Sequence, residues 1–216
     1  MATAQEQSET KLDRQSSALL IVDMQNDFCH PEGAQGKRGR DLSMVYGMIP
    51  TFAEVLKGAR QIGLPVIFVR TLHYTWTDSK TWRKRLDGYK RGIEICLPGS
   101  WGSEIIDALA PLESEPVVIK HRYSAFLDTD LGLMLRSMKI DTLLIGGVGT
   151  NVCVESTARH AYMLDYDVCL LEDCTAGSDA ELHRGTLRNI ADHFGTVGRG
   201  VDILREFARQ GGEGDI

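Results

Sequence analysis

Five short runs of near-continuous hydrophobicity set the main constraint on this chain. Ser17 to Val22, Pro65 to Val69, Pro116 to Ile119, Thr142 to Ile145 and Val168 to Leu171 do not alternate between apolar and polar residues. Such runs mark strands covered on both faces, as in parallel sheets. Between them the period changes. Met48, Phe52, Val55, Leu56, Ala59 and Ile62 recur at three- and four-residue steps, and Leu131, Met134, Leu135 and Met138 do so over a shorter stretch; both read as crossover helices. Further helices are predicted from about Asn151 to Leu164 and from Asp179 to His193, the latter capped by Ser178 or Asp179. Phe194 to Val197 supplies a sixth strand. The alternation implies an α/β class: a single-domain, doubly wound, Rossmann-like and mostly parallel six-stranded sheet with helices on both faces.

The 216 residues suffice for one core. The domain is expected to span 17–208, with flexible tails at 1–16 and 209–216. Hydrophobic residues at 43% and charged residues at 25% exclude collagen-like, disordered and long coiled-coil chains. No apolar run approaches the roughly 18 residues that cross a bilayer, and the polar N-terminus lacks a secretory h-region, so a cytoplasmic protein without a membrane partner is expected. A net charge of −6 gives no support to a nucleic-acid partner. The one basic cluster, Lys80, Arg83, Lys84, Arg85, Lys90 and Arg91, reads as a solvated loop or an anion-facing lid. It falls in the longest segment without clear periodicity, His73 to Trp101, which reads as a lid or subunit contact. Five cysteines with no zinc-like spacing argue for free thiols rather than a disulfide framework or structural metal.

Three reactive residues interrupt or follow the apolar strands at the end where doubly wound sheets bind ligands. Asp23 follows LLIV, Lys120 follows PVVI, and Cys153 follows LLIGGVGTNV. Singly, Asp23 could cap a turn, Lys120 could mark an exposed strand end, and Cys153 could be a small buried residue. Together they gather an acid, a cation and a thiol at one sheet edge. The glycines of Gly146-Gly147-Val148-Gly149 permit a sharp turn that delivers Cys153 to a helix start, where backbone N–H groups lack intrahelical partners. That position is expected to lower the thiol pKa, with Lys120 favouring the thiolate, and to offer N–H donors to an oxyanion. Asp23 is placed to take and return a proton. Cys29 is the alternative nucleophile, but it lacks the glycine turn and the helix start.

The segments IVDMQNDFCHPEGA, VIKHRYSAF and GGVGTNVCVESTARHAYMLDYDVCLLEDCTAG resemble the isochorismatase-like cysteine hydrolases over about Ser17 to Val197. The resemblance implies a catalytic triad of Asp23, Lys120 and Cys153, an oxyanion hole of the Gly149 and Cys153 N–H groups, and a cis peptide joining Val148 to Gly149. A nucleophilic cysteine implies amide or ureide chemistry rather than the vinyl-ether cleavage of true isochorismatases. The sequence is most similar to ureidoacrylate amidohydrolase and biuret-hydrolase-type relatives. A small carbamoyl or ureido substrate of the biuret, triuret or ureidoacrylate type is therefore expected, with a nicotinamidase- or maleamate-type amidase, or a non-catalytic module, as alternatives. His73 lacks the partners of the nicotinamidase metal motif, so neither metal nor cofactor is expected. By the same resemblance Phe28 walls the substrate pocket, and His193 stands near a substrate-binding glutamine of biuret hydrolase. Tyr123, three residues after Lys120, could offer its hydroxyl to the substrate. A homo-oligomer, dimer or tetramer, is also implied.

Overall fold

The computed structural model describes residues 12–90 and 92–212; the outer parts of both expected tails, residues 1–11 and 213–216, and Arg91 of the basic cluster lie outside them. The sheet consists of β1 (Ser17–Val22), β2 (Val66–Thr71), β3 (Val117–Lys120), β4 (Thr142–Val148), β5 (Asp167–Ala176) and β6 (Thr196–Gly198). Every pairing is parallel, in the order β3-β2-β1-β4-β5-β6. The helices are α1 (Asn26–Cys29), α2 (Ala34–Lys37), α3 (Ser43–Gln61), α4 (Lys80–Lys90), α5 (Leu131–Ser137), α6 (Glu155–Tyr162), α7 (Ala180–His193) and α8 (Gly200–Gly212). None is long and apolar enough to cross a membrane.

Successive strand residues point to opposite faces, and both faces are buried. Leu19, Ile21, Val66, Phe68, Leu144 and Leu171 pack against Phe52, Val55, Leu56 and Ala59 of α3 and Leu204 and Phe207 of α8. Ala18, Leu20, Ile67, Val69, Leu143, Ile145 and Leu170 pack on the other face against Leu131 and Leu135 of α5, Ala158 and Ala161 of α6 and Ile190 of α7. The unbroken hydrophobicity of the strands follows from this two-sided cover.

Among the boundaries that differ from the sequence expectation, four bear on the ends of the chain, the sixth strand and the turn after β4. The N-terminal tail was expected to reach 16, but residues 12–16 are tied down: Gln210 Nε2 donates to the Leu12 carbonyl at 2.9 Å and the Arg14 N–H donates to Gln210 Oε1 at 3.2 Å. The same contacts make Arg209 and Gln210 part of α8 rather than a tail. The sixth strand starts at Thr196 because Phe194 closes α7, its N–H donating to the Ile190 carbonyl at 2.9 Å. The expected helix from Asn151 begins instead as a wide turn, Thr150–Val154, that continues into α6.

The paired glycines of β4 act within the strand rather than after it. A Cβ on Gly147, whose φ is +136°, would lie 2.0 Å from the Val22 carbonyl oxygen, and one on Gly146 would lie 2.7 Å from the Phe52 ring. They let β4 approach β1 and the α3 layer, with a register shift against β5 between Ile145 and Gly147.

Candidate active site

The chain runs outward from β1 through β2 to β3, returns, and runs outward the other way from β4 to β6. The topological switch point therefore lies between the carboxyl ends of β1 and β4, where an open α/β sheet leaves a crevice. Asp23 directly follows β1, and Cys153 lies in the turn after β4. Lys120 ends β3 and is in register with Thr71, the last residue of β2. The long lysine side chain crosses the end of β2 to reach the switch point.

At its tip Nζ lies 2.8 Å from Asp23 Oδ2 and 3.4 Å from Cys153 Sγ, and it donates to Thr71 Oγ1 at 2.7 Å and to the Arg122 carbonyl at 3.1 Å. Thr71 Oγ1 in turn donates to Asp23 Oδ1 at 3.0 Å. Asp23 and Lys120 are wholly buried and Cys153 nearly so. Apart from the ion pair, Asp23 Oδ2 has no hydrogen-bond donor among the described residues, so it keeps a lone pair for a proton. Asp23 itself sits at φ +55°, a left-handed conformation that aspartate tolerates better than most side chains. Its N–H donates to the Val69 carbonyl at 2.8 Å.

The electrostatics overturn one sequence expectation. Burial, and next the Asp23 carboxylate, push the Cys153 thiol up; Lys120 pulls it down without reversing the balance. The balance favours the thiol at rest over the thiolate expected from a helix start. The wide turn at Thr150–Val154 buries Thr150, Cys153 and Val154, and desolvation of the charged form raises a thiol pKa. Lys120 is favoured in its charged form: burial, the largest single influence, works against the charge, but Asp23 and Cys153 together outweigh it and shift the group upward.

Over Cys153 opens a cavity of about 220 Å³, lined among others by Phe28, Thr71, His73, Trp82, Arg85, Tyr123, Gly149 and Asn151. The Val148–Gly149 peptide is cis. A Cβ on Gly149 would meet nothing within 4 Å, so this backbone faces open space. The Gly149 carbonyl is taken up by the Val152 and Val154 N–H groups at 3.0 and 3.4 Å. Beneath the turn, Thr150 Oγ1 and His183 Nδ1 are 2.9 Å apart.

A family model described as an isochorismatase domain matches residues 17–200. The chain belongs to the isochorismatase family. It is 33% identical over 213 residues to the ureidoacrylate amidohydrolase RutB of Azorhizobium caulinodans, covering 90% of this chain and 92% of that one. It is 36% identical to a protein of the same name from Methylorubrum extorquens, covering 86% and 80% of the two chains. A solved cysteine hydrolase from Pseudomonas syringae pv. phaseolicola superposes with a TM-score of 0.82 at 29% identity, covering 92% of this chain and 95% of that one.

Of the residues singled out in the sequence, this isochorismatase-family chain brings Asp23, Lys120 and Cys153 into contact and sets Phe28, Tyr123 and Gly149 in the cavity wall. His193 is a correction. It is the last residue of the 14-residue α7, which leads away from the cavity wall at Gly177 and Ser178 for about 20 Å at 1.5 Å per residue. Exposed there, it contacts Phe194 at 6.2 Å between ring centroids and lines no part of the cavity. Cys29 sits in the core beside α3 rather than in the cavity. His73 lines the cavity with its Nδ1 3.0 Å from Asp78 Oδ1, and no group of three metal-ligating side chains occurs among the described residues.

Sequence reasoning missed three contributors, Thr71, Gln25 and Trp82. Thr71 bridges the lysine and the carboxylate, and its place at a strand's carboxyl end, level with Lys120, was the available signal. Gln25 fixes Thr71 from both sides: its Nε2 donates to the Thr71 carbonyl at 2.9 Å and its Oε1 accepts from the Thr71 N–H at 2.7 Å. Trp82 comes from α4, inside the segment expected to lack periodicity, as does Arg85 of the basic cluster expected to be a solvated loop or an anion-facing lid. Most positions of that helix are polar; Trp82 rests on Tyr123, with ring centroids 4.8 Å apart.

Proposed function

We propose that this chain is a cysteine-dependent amidohydrolase that cleaves a C–N bond of a small ureide, of the ureidoacrylate type before biuret or triuret. The observation that carries the reading is one buried ammonium in contact with both a carboxylate and a cavity-facing thiol. The names and identities of the two curated relatives favour ureidoacrylate within that class.

In the proposed reaction the Cys153 proton passes to Asp23 Oδ2 as the sulfur attacks the ureide carbonyl carbon, so no free thiolate accumulates. Lys120 stays protonated, beside the sulfur while it is anionic and paired with Asp23 otherwise. The carbonyl oxygen takes up the displaced electron pair and is held by the N–H groups of Gly149 and Cys153. Collapse breaks the C–N bond and Asp23 returns its proton to the leaving nitrogen, which departs as ammonia or an amine. A thiocarbamate or thioester remains on Cys153. Water, giving a proton to Asp23 as it adds to the acyl carbon, breaks the C–S bond; Asp23 returns that proton to the leaving sulfur, and a carbamic or carboxylic acid departs, a carbamic acid then losing carbon dioxide. Phe28 and Tyr123 wall the cavity around the substrate.

The test is ammonia release from ureidoacrylate, biuret, triuret and nicotinamide, with mass spectrometry of the acid-quenched protein. Ureidoacrylate is expected to give the highest kcat/KM and an acyl adduct on Cys153. Turnover with no adduct in any quench, or turnover by Cys153→Ala, overturns the mechanism.

A further inference from the structure

The cavity wall is charged in one sense only. Arg40, Arg85, Lys120 and Arg122 line it, and no aspartate or glutamate does among the described residues, although the chain as a whole carries −6. Asp23 lies below the wall, neutralised by Lys120 at 2.8 Å. A neutral substrate gains little from such a lining. An anion gains a charge-assisted contact in a site partly shielded from water.

The cations differ in what they are free to do. Lys120 is committed to Asp23, Thr71 and Cys153. Arg122 donates to the His121 and Thr77 carbonyls at 2.6 and 2.9 Å and lies over the Trp82 ring at 4.7 Å, so it ties α4 to the loop after β3. Arg85 is different: it is exposed, lines the cavity, and makes no hydrogen bond or ion pair among the described residues. It follows Trp82 by three residues, which places the two on one face of α4. Trp82 is held against Tyr123 and Arg122, so that face is turned to the cavity. Arg83 and Lys84 lie off it and line no part of the cavity.

We infer that Arg85 is a specificity-determining residue that grips a carboxylate of the substrate, so that the ureide accepted here is an anion. The inference rests on the ureide-hydrolase reading above and narrows it. The guanidinium fork matches a carboxylate with two parallel N–H···O bonds, which a lysine cannot reproduce. One unpaired arginine on a lid thus selects a ureido acid over neutral biuret.

The test compares ureidoacrylate with its methyl ester, which keeps the ureide and removes the charge, and with biuret. Wild type is expected to favour the acid. Arg85→Gln should raise KM for the acid about 30-fold, the weight of a charge-assisted hydrogen bond, while kcat changes less than threefold and kcat/KM for the ester falls less than threefold. Arg85→Lys should recover part of the loss. Equal losses on acid and ester, no loss on either, or a wild-type preference for ester or biuret would overturn the inference while leaving ureide hydrolysis in place. Should wild type hydrolyse none of the three, the functional reading fails by itself. The role of Arg85 is then decided by calorimetry of 3-ureidopropionate binding to Cys153→Ala: at least tenfold weaker binding on adding Arg85→Gln supports it, and unchanged binding overturns it.

Discussion

Replacing Asp23 by asparagine should make Cys153 more reactive and the enzyme inactive. In the native site the carboxylate is one of the groups that hold the proton on sulfur, second only to burial. Both groups touch Lys120 Nζ, at 2.8 and 3.4 Å, so the carboxylate and the sulfur are at most about 6 Å apart, and at an effective dielectric constant of about 20 their repulsion is about 3 kcal/mol. Removing it lowers the thiol pKa by about two units. Lys120, wholly buried, loses its counter-ion at the same time, which favours a thiolate as its replacement.

At neutral pH the thiolate fraction therefore rises about 100-fold. A less basic thiolate is also a weaker nucleophile, with a Brønsted coefficient of about 0.4–0.5, so the net gain in alkylation rate is about tenfold. Turnover should fall by about 10²–10⁴, the usual weight of a general base. The assay is iodoacetamide labelling of Cys153 followed by peptide mass spectrometry, run beside ammonia release on both proteins. The other four cysteines are buried and outside the cavity, so the labelled peptide reports one site. Labelling of Asp23→Asn at or below the wild-type rate would refute the claim that Asp23 keeps the sulfur protonated.

Three further perturbations separate parts of the design. Thr71→Val keeps the shape of the side chain but removes its bonds to Lys120 Nζ and Asp23 Oδ1; two lost bonds to charged groups should cost about 3 kcal/mol or more, read by urea denaturation, with kcat falling as well, and a variant as stable as wild type would contradict the bridge. Gly147→Ala should fail to fold or lose about 3 kcal/mol or more, because its Cβ would meet the Val22 carbonyl at 2.0 Å, whereas Gly149→Ala meets nothing within 4 Å and should keep the wild-type Tm; equal Tm losses would contradict the packing. Burial pushes the thiols of Cys29, Cys96, Cys153, Cys169 and Cys174 up in the folded chain. Above about pH 8.5 the unfolded chain sheds protons that the folded chain keeps, so stability should fall with rising pH by up to about 1.4 kcal/mol per unit per cysteine; Cys153→Ala should make the pH 9–10 slope shallower by about one proton, and an unchanged slope would show that Cys153 does not contribute.

The strands and the core-facing helices α3 and α7 were legible because each buries a regular pattern: both faces of β1 and β4, and one stripe of α3 and α7, are covered; α8, which also faces the core through Leu204 and Phe207, was not predicted. Asp23, Lys120 and Cys153 stood out because a polar residue at the end of an apolar strand is conspicuous. Helix α4 was not legible, since Lys80–Lys90 is polar at most positions and offers few apolar residues to betray its period. Thr71 escaped for a different reason: a threonine ending a strand is ordinary by composition, and its hydroxyl gains meaning only when β1 and β3 flank it. His193 was misplaced because sequence proximity to a relative's substrate residue says nothing about which end of a helix faces the cavity. The protonation state of Cys153 was misjudged because a glycine-rich turn signals a helix start but not how deeply the neighbouring strands bury it.

That burial explains why the proton belongs on sulfur at rest. With Cys153 ionised, Lys120 would face two anions in a region where Asp23 and Lys120 have no exposed surface, and the site would hold a net negative charge in a largely buried place, which is costly. With the thiol intact the trio is neutral overall. The proposed attack preserves that balance: the proton would move from sulfur to Asp23 while negative charge leaves for the substrate oxygen, toward the open backbone at Gly149. Lys120 keeps its charge throughout and is shared between whichever of its two neighbours is anionic. The donors are fixed before the substrate arrives, since Gln25 holds Thr71 and Thr71 holds both Lys120 and Asp23. Little has to reorganise as the charge moves, and that preorganisation is where an electrostatic site gains its rate.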